Sequence, residues 1–116
     1  MPSRRERAVS ARYILRPKAE QDLDQQAYYL ATQASPETGH RFLVAAHETF
    51  VLLSMQPHMG WPLRLRDPRL ASLRVFRISS FEKMLVLYIP RSSGVEIVRV
   101  VHGSRNLVAF LEREQL

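Results

Sequence analysis

The spacing of apolar residues changes period along the chain, and the changes mark its elements. "ARYILR" puts Tyr13 and Leu15 on one side and Ile14 on the other, the period-two pattern of a short strand. From Pro17 the period lengthens. Leu23, Ala27, Leu30, Ala31 and Ala34 recur at spacings of three and four, which predicts a helix with one apolar stripe. Pro17 suits its first turn, and Glu20, Asp22 and Asp24 lie early, where the helix dipole favours acids. Ser35 is a candidate N-cap with Pro36 behind it, opening a second helix whose stripe is Phe42, Ala46, Thr49, Phe50 and Leu53 and which Pro57 ends. So short a connection makes the two helices an antiparallel hairpin.

"QPHMGWPLRLRDPRL" has three prolines and a glycine and reads as a loop. Strands are expected at residues 73–78, 83–89 and 95–101, joined by the hairpin turns "SSFE" and "PRSSG". "NLVAFLEREQL" then predicts a short, peripheral helix with Leu107, Phe110 and Leu111 inward. The order β-α-α-β-β-β-α is an α+β fold: an N-terminal strand and a helix hairpin packed on an antiparallel sheet. The strand at 83–89 is apolar in both phases, with Leu85, Leu87 and Ile89 on one side and Met84, Val86 and Tyr88 on the other. It needs cover on both sides. The helix hairpin covers one. The other is left to the C-terminal helix, or to a groove that a partner or a second copy fills.

At 116 residues the chain is one domain, read as a basic flexible leader at 1–10 and a folded unit at 11–116. The absence of cysteine excludes disulfides, thiol catalysis and cysteine-held zinc. His40, His47 and His58 are scattered and show no metal-ligand spacing, so neither metal nor cofactor is expected. No apolar run approaches the ~18 residues of a membrane span, and the chain reads as cytoplasmic. The net charge of +6 is uneven: +4 over residues 1–16, −3 over 17–60 and +5 over 61–116. A polyanionic or acidic partner for the C-terminal half follows.

Candidate chemistry gathers in that half. Arg64, Arg66, Arg69, Arg74 and Arg77 form a dense basic run around Trp61, itself read as a loop anchor. Arg99 interrupts an apolar strand, in phase with Val95, Ile97 and Val101. A buried arginine is costly unless it meets an acid, Glu82 or Glu96 for instance, or opens onto a groove. His102 is the one plausible acid–base group. Gly103 supplies backbone freedom for a sharp turn, and Arg105 projects from it.

Four pieces carry a resemblance over about residues 11–111: "YILRPKAEQDL", "PHMGWP", "LRVFRIS…KMLVLYIP" and "VEIVRVVHGSRNL". Together they resemble the ParE/RelE toxin superfamily of bacterial type II toxin–antitoxin systems, and the Arg-Val-x-His-Gly-x-Arg ending followed by Asn-Leu is similar to the ParE branch. The resemblance implies a toxin that binds DNA gyrase, traps its cleaved complex and is neutralised by a cognate antitoxin in a hetero-oligomer. Contacts to antitoxin or target would fall on Arg64, Arg66, Arg69, Arg74, Arg77, Arg99, His102 and Arg105. The alternatives are a RelE-like mRNA endonuclease acting on the ribosome, with His102, Arg99 and Arg105 as its catalytic groups, and a non-toxic binding module of the same fold. Against the endonuclease, Phe110 stands roughly where that branch has a tyrosine.

Overall fold

A computed structural model describes residues 12–104 and 106–114; the leader at 1–10 and Arg105 lie outside the described residues. The elements are β1 (Tyr13–Leu15), α1 (Pro17–Gln33), α2 (Pro36–Met55), β2 (Trp61–Pro62), a 3₁₀ turn (Pro68–Leu70), β3 (Arg74–Ile78), β4 (Phe81–Arg91), β5 (Gly94–His102) and α3 (Leu107–Arg113). The five strands form one sheet in the order β1-β5-β4-β3-β2. All neighbours are antiparallel except β1 with β5, which run parallel. The fold class is the α+β arrangement expected, with a mixed sheet. The helix hairpin carries the chain from β1 to β2 at the opposite edge of the sheet, and antiparallel steps through β3 and β4 then bring β5 back alongside β1, parallel to it.

The helices follow their signals. Pro17 stands in the first turn of α1. The Ser35 hydroxyl accepts the Thr38 backbone N–H at 3.1 Å and caps α2. Phe42, Ala46, Thr49, Phe50 and Leu53 are all buried, so the α2 stripe faces the sheet as expected. There it packs with Ala19 and Leu23 of α1 and with Met84, Val86, Tyr88, Val95, Ile97 and Val100. Ala34 is exposed at the C-cap of α1 rather than in its stripe.

The second face of the sheet carries its own core: Leu70, Leu73, Val75, Leu85, Leu87, Ile89, Val98, Val101, Phe110 and Leu111, with Leu63, Leu65 and Leu107 at its margin. α3 and the segment 61–73 cover these residues, so the cover the strand needed comes from the chain itself, with a cavity left between residues 65–70 and the end of α3. That segment differs from the expected plain loop. Its leucines at 63, 65, 70 and 73 turn inward, two residues pair as β2, and Pro68–Leu70 forms a helical turn. The short α3 is not peripheral, since Phe110 and Leu111 are 4% and 1% exposed.

Two glycines are dictated by sterics. Gly94, at φ +142°, ends the Ser92–Ser93 turn where an added Cβ would lie 1.9 Å from the Arg12 carbonyl oxygen. At Gly60 a Cβ would lie 2.5 Å from the Val75 carbonyl oxygen and 2.6 Å from the Tyr88 hydroxyl. Gly103 stands in the turn expected after β5 but without a positive φ. Its N–H instead donates to the Lys83 carbonyl at 2.6 Å and continues the β4–β5 ladder.

Glu96 ties the parallel junction. Its carboxylate accepts Arg16 Nε at 2.5 Å and Arg91 Nε at 3.0 Å, joining the β1–α1 corner to the end of β4. The Arg16 bond, then the Arg91 bond, hold this carboxyl below its ordinary range. A depressed acid pKa stabilises the fold above the unfolded value of about 4.3 and gives that stability up as pH falls towards the lower folded value. Thermal melts of the wild type should therefore lose midpoint on acidification through that window, and Glu96→Gln should flatten this limb; equal slopes for both proteins would remove Glu96 from the acid response.

The packing of α2 makes a second expectation. Phe50→Ala should cost about 3–5 kcal/mol by opening a cavity between α2 and the sheet. Urea denaturation reads this directly, and an unchanged midpoint would place Phe50 outside the core.

Candidate functional site

Arg99 shows what a charged residue does inside an apolar strand. The β4–β5 pairing shifts between Leu87 and Tyr88, so Leu87 faces Arg99 while Tyr88 faces Ile97, and Val98 is the extra residue of a bulge. The bulge breaks the expected phase. Val95 and Ile97 face the helix hairpin, whereas Arg99 lies beside the second core with its guanidinium carbon 5.1 Å from the centre of the Phe110 ring. Arg99 Nε and Nη2 donate to Asp22 at 2.8 and 3.0 Å, and Nη1 donates to Glu114 at 2.6 Å. Neither Glu82 nor Glu96 is a partner. Asp22 also accepts the Val100 N–H at 2.9 Å. β1 pairs with β5 no further than Ile97, so the α1 carboxylate takes over the strand edge where β1 stops. The Asp22 bonds raise the Arg99 pKa further, against burial. With Arg99 only 8% exposed, this is a structural tie rather than an open contact.

The basic run disperses. Arg74 and Arg77 are an odd number of residues apart on β3 and so project to opposite faces. Arg74 donates to the Gly60 carbonyl at 2.6 and 2.9 Å and to the His58 carbonyl at 3.2 Å, holding the turn before β2. Tyr88 holds the same turn from beneath: its hydroxyl donates to the Pro57 carbonyl at 2.7 Å and accepts the Gly60 N–H at 2.9 Å. Burial pushes the Tyr88 phenol up, as befits a core group. Arg69 pairs with Asp67 at 2.7 Å, and its hydrogen bonds hold the Asp67 carboxyl low. Arg66 and Arg69 line a cavity against Leu111, Glu112 and Glu114. Arg64 is exposed, at a left-handed φ of +59°.

What the fold does gather lies at one end of the sheet. The register Met84↔His102 sets the start of β4 beside the end of β5. Lys83, Glu82 and His102 sit between two adjoining cavities. One, of about 540 Å³, is bounded by Gln26, Tyr29, Leu30 and Phe81 on the helix side; the other, of about 430 Å³, by Trp61, Arg77, Leu85 and Ser104 on the far side. Trp61 is not a buried loop anchor. It is 39% exposed, and the Arg77 guanidinium lies 5.2 Å from its ring centre. His102 Nδ1 meets the Ser104 N–H at 3.2 Å and its hydroxyl at 2.8 Å. A backbone N–H can only donate, so Nδ1 accepts and the neutral ring carries its proton on Nε2, the remaining ring nitrogen. Lys83 was not among the residues picked from sequence, and Glu82 and Trp61 were read there in other roles. The hairpin register could have found Lys83 and Glu82, since it pairs the start of one strand with the His-Gly end of the next. Among the described residues no group of three or more His, Cys, Asp or Glu is arranged to hold a metal ion, and no helix is long and apolar enough to cross a membrane.

The Arg99 tie carries a measurable coupling. Asp22→Ala and Arg99→Ala should each cost about 3–5 kcal/mol, because each leaves a buried partner uncompensated. The double variant should cost clearly less than the two together in urea denaturation. Simple additivity would show that the pair does not act as one unit.

Comparison with known proteins bears on this framework. A search of curated proteins finds no match. The chain is similar in structure to a protein of the chromosomal ParDE TA system from P. aeruginosa, with a TM-score of 0.64 at 15% identity, covering 80% of this chain and 96% of that one. That likeness shows the fold. The family model described as the ParE toxin of type II toxin–antitoxin system, parDE, matches residues 13–107, from the first residue of β1 to the first of α3. The chain therefore belongs to the ParE toxin family of type II toxin–antitoxin systems.

Proposed function

We propose that this ParE toxin inhibits DNA gyrase by binding, stabilising the cleaved gyrase–DNA complex, and that a cognate antitoxin neutralises it in the cytoplasm. One observation carries the choice over mRNA cleavage. Phe110, where the RelE branch has a tyrosine, is 4% exposed and packed under Arg99 in the second core. A ring so placed contributes to folding and carries no transferable proton. RNA cleavage asks for positioned proton donors and acceptors, each worth roughly 10²–10⁴-fold. Of the groups nominated for it, Arg99 is committed to Asp22 and Glu114, and His102 has Nδ1 turned to Ser104; Arg105 lies outside the described residues. Poisoning an enzyme state asks only for binding energy placed on that state.

The contacts proposed for target and antitoxin are the exposed cations Arg64, Arg66 and Arg77, together with His102 and Arg105. Arg69, Arg74 and Arg99 hold carboxylates or carbonyls of the chain itself and serve such contacts indirectly, by fixing the surface around them. An acidic antitoxin suits the +5 of residues 61–116.

Purified protein should slow supercoiling of relaxed plasmid by gyrase and enrich linear, cleaved plasmid, while mRNA in a translating extract stays intact. Codon-proximal cuts that vanish in His102→Ala would overturn the gyrase reading and make His102 a catalyst.

A further inference from the structure

The two cavities at the end of the sheet share Glu82, Lys83 and His102 in their lining and so follow one another along a path over its rim. Flat rings stand at both ends: Trp61, 39% exposed on the two-residue strand β2, and Tyr29, 57% exposed on α1, with Phe81 beside it. Between them lie Lys83 and His102, and Arg77 stacks on the indole. Both cavities fall within the range of about 300–1,000 Å³ usual for ligand sites.

The charges there are not consumed by the fold. Among the described residues neither Arg77 nor Lys83 forms an ion pair with a carboxylate, in contrast to Arg16, Arg69, Arg91 and Arg99, each of which meets an acid. The one carboxylate in the path, Glu82, accepts the Ser80 N–H at 3.0 Å and so is turned in part to its own turn. With Nδ1 occupied by Ser104, the neutral His102 ring offers its Nε2–H as a donor. Exposed rings alternating with cations, and a donor between them, suit a chain of bases and phosphates: bases stack on the rings and phosphates meet the cations. An acidic polypeptide would use the cations but leave the ring faces without a flat partner. A duplex keeps its bases stacked inside and could not present them to Trp61.

We infer that this rim is a binding site for single-stranded nucleic acid, with Trp61 stacking a base, Lys83 and Arg77 holding phosphates and His102 Nε2 donating to the backbone. Such binding goes beyond gyrase inhibition and does not depend on it.

Trp61 is the only tryptophan, so its fluorescence reports on the site alone. The full chain would be titrated with oligothymidylate and oligouridylate of about twelve nucleotides, within the usual footprint of single-strand sites. Both should quench the indole, and a clear difference between them would identify DNA or RNA as the source. A labelled oligonucleotide followed by anisotropy should bind Trp61→Ala about ten-fold or more weakly, with Trp61→Phe retaining most of the affinity. Lys83→Glu, at an exposed position, should weaken binding and lower the salt slope by roughly one phosphate's share, about 0.7. Heparin, a polyanion without bases, should bind this basic chain yet leave the indole emission unchanged. Quenching by heparin, full affinity in Trp61→Ala with its melting midpoint intact, or preference for duplex would overturn the proposal. Quenching by polyglutamate but not by either oligonucleotide would also overturn it and assign the rim to an acidic protein.

Discussion

The bond between Arg99 and Asp22 is the constraint on which the arrangement turns. β5 lies between β1 and β4, and β1 is only three residues long. Past Ile97 its outer edge would carry unpaired backbone groups. Asp22 supplies the missing acceptor for Val100 and, with its remaining capacity, neutralises Arg99. One carboxylate thus fixes where α1 sits along the sheet. The bulge at Val98 is what brings Arg99 to that edge, and Glu114 completes the set by drawing the end of α3 over the second core. The arginine is less a source of net stability than a device for registering α1, β5 and α3. Hydrophobic residues of similar volume could fill the same space, but they could not specify which end of the sheet α3 closes.

Much else in the electrostatics follows from the same division of labour. Basic residues that looked alike along the chain have separate fates. Arg16 and Arg91 meet Glu96, Arg69 meets Asp67, Arg99 meets Asp22 and Glu114, and Arg74 satisfies carbonyls at the turn before β2. Most of these guanidiniums are internal fasteners, chosen because a planar fork can serve two acceptors at once. The net charge of +6 therefore overstates what a partner can grasp directly. The cations left for recognition are fewer, and those at the sheet rim are accompanied by rings.

Local periodicity made the helices and the inner strands readable. The α2 stripe, the Ser35 cap and the two phases of β4 depend on neighbours a few residues away, and each is found as the spacing implies. Features that depend on distant residues were not readable. Nothing near Arg99 in sequence names Asp22, 77 residues away. The bulge that shifts Arg99 out of phase with Ile97 leaves no mark of its own in "VEIVRVV". The segment 61–73 looked like a loop because Pro62, Pro68 and the preceding Gly60 are strong breakers. Leu63, Leu65, Leu70 and Leu73 nevertheless carry the information that it is a cover, since four leucines within eleven residues are not left facing water. The basic run misled for a related reason: adjacency along a strand is not adjacency on a face, as Arg74 and Arg77 illustrate.

The filled second face also constrains how this toxin can act. A cleft for chemistry on that face would have to be built from Val98, Val101, Leu85, Leu87 and Phe110, and these are packed against one another under α3. Opening it would expose a core that contributes to folding. The rim of the sheet escapes this conflict, because α1, the β3–β4 turn, β2 and the paired ends of β4 and β5 already form its open walls. Ring faces and cations can stay solvated there at little cost to stability. A surface of that kind offers stacking area, positive charge and one fixed donor. The same packing that fills the second face thus sets the proposed single-strand site at the rim, where its rings and cations lie outside the two cores.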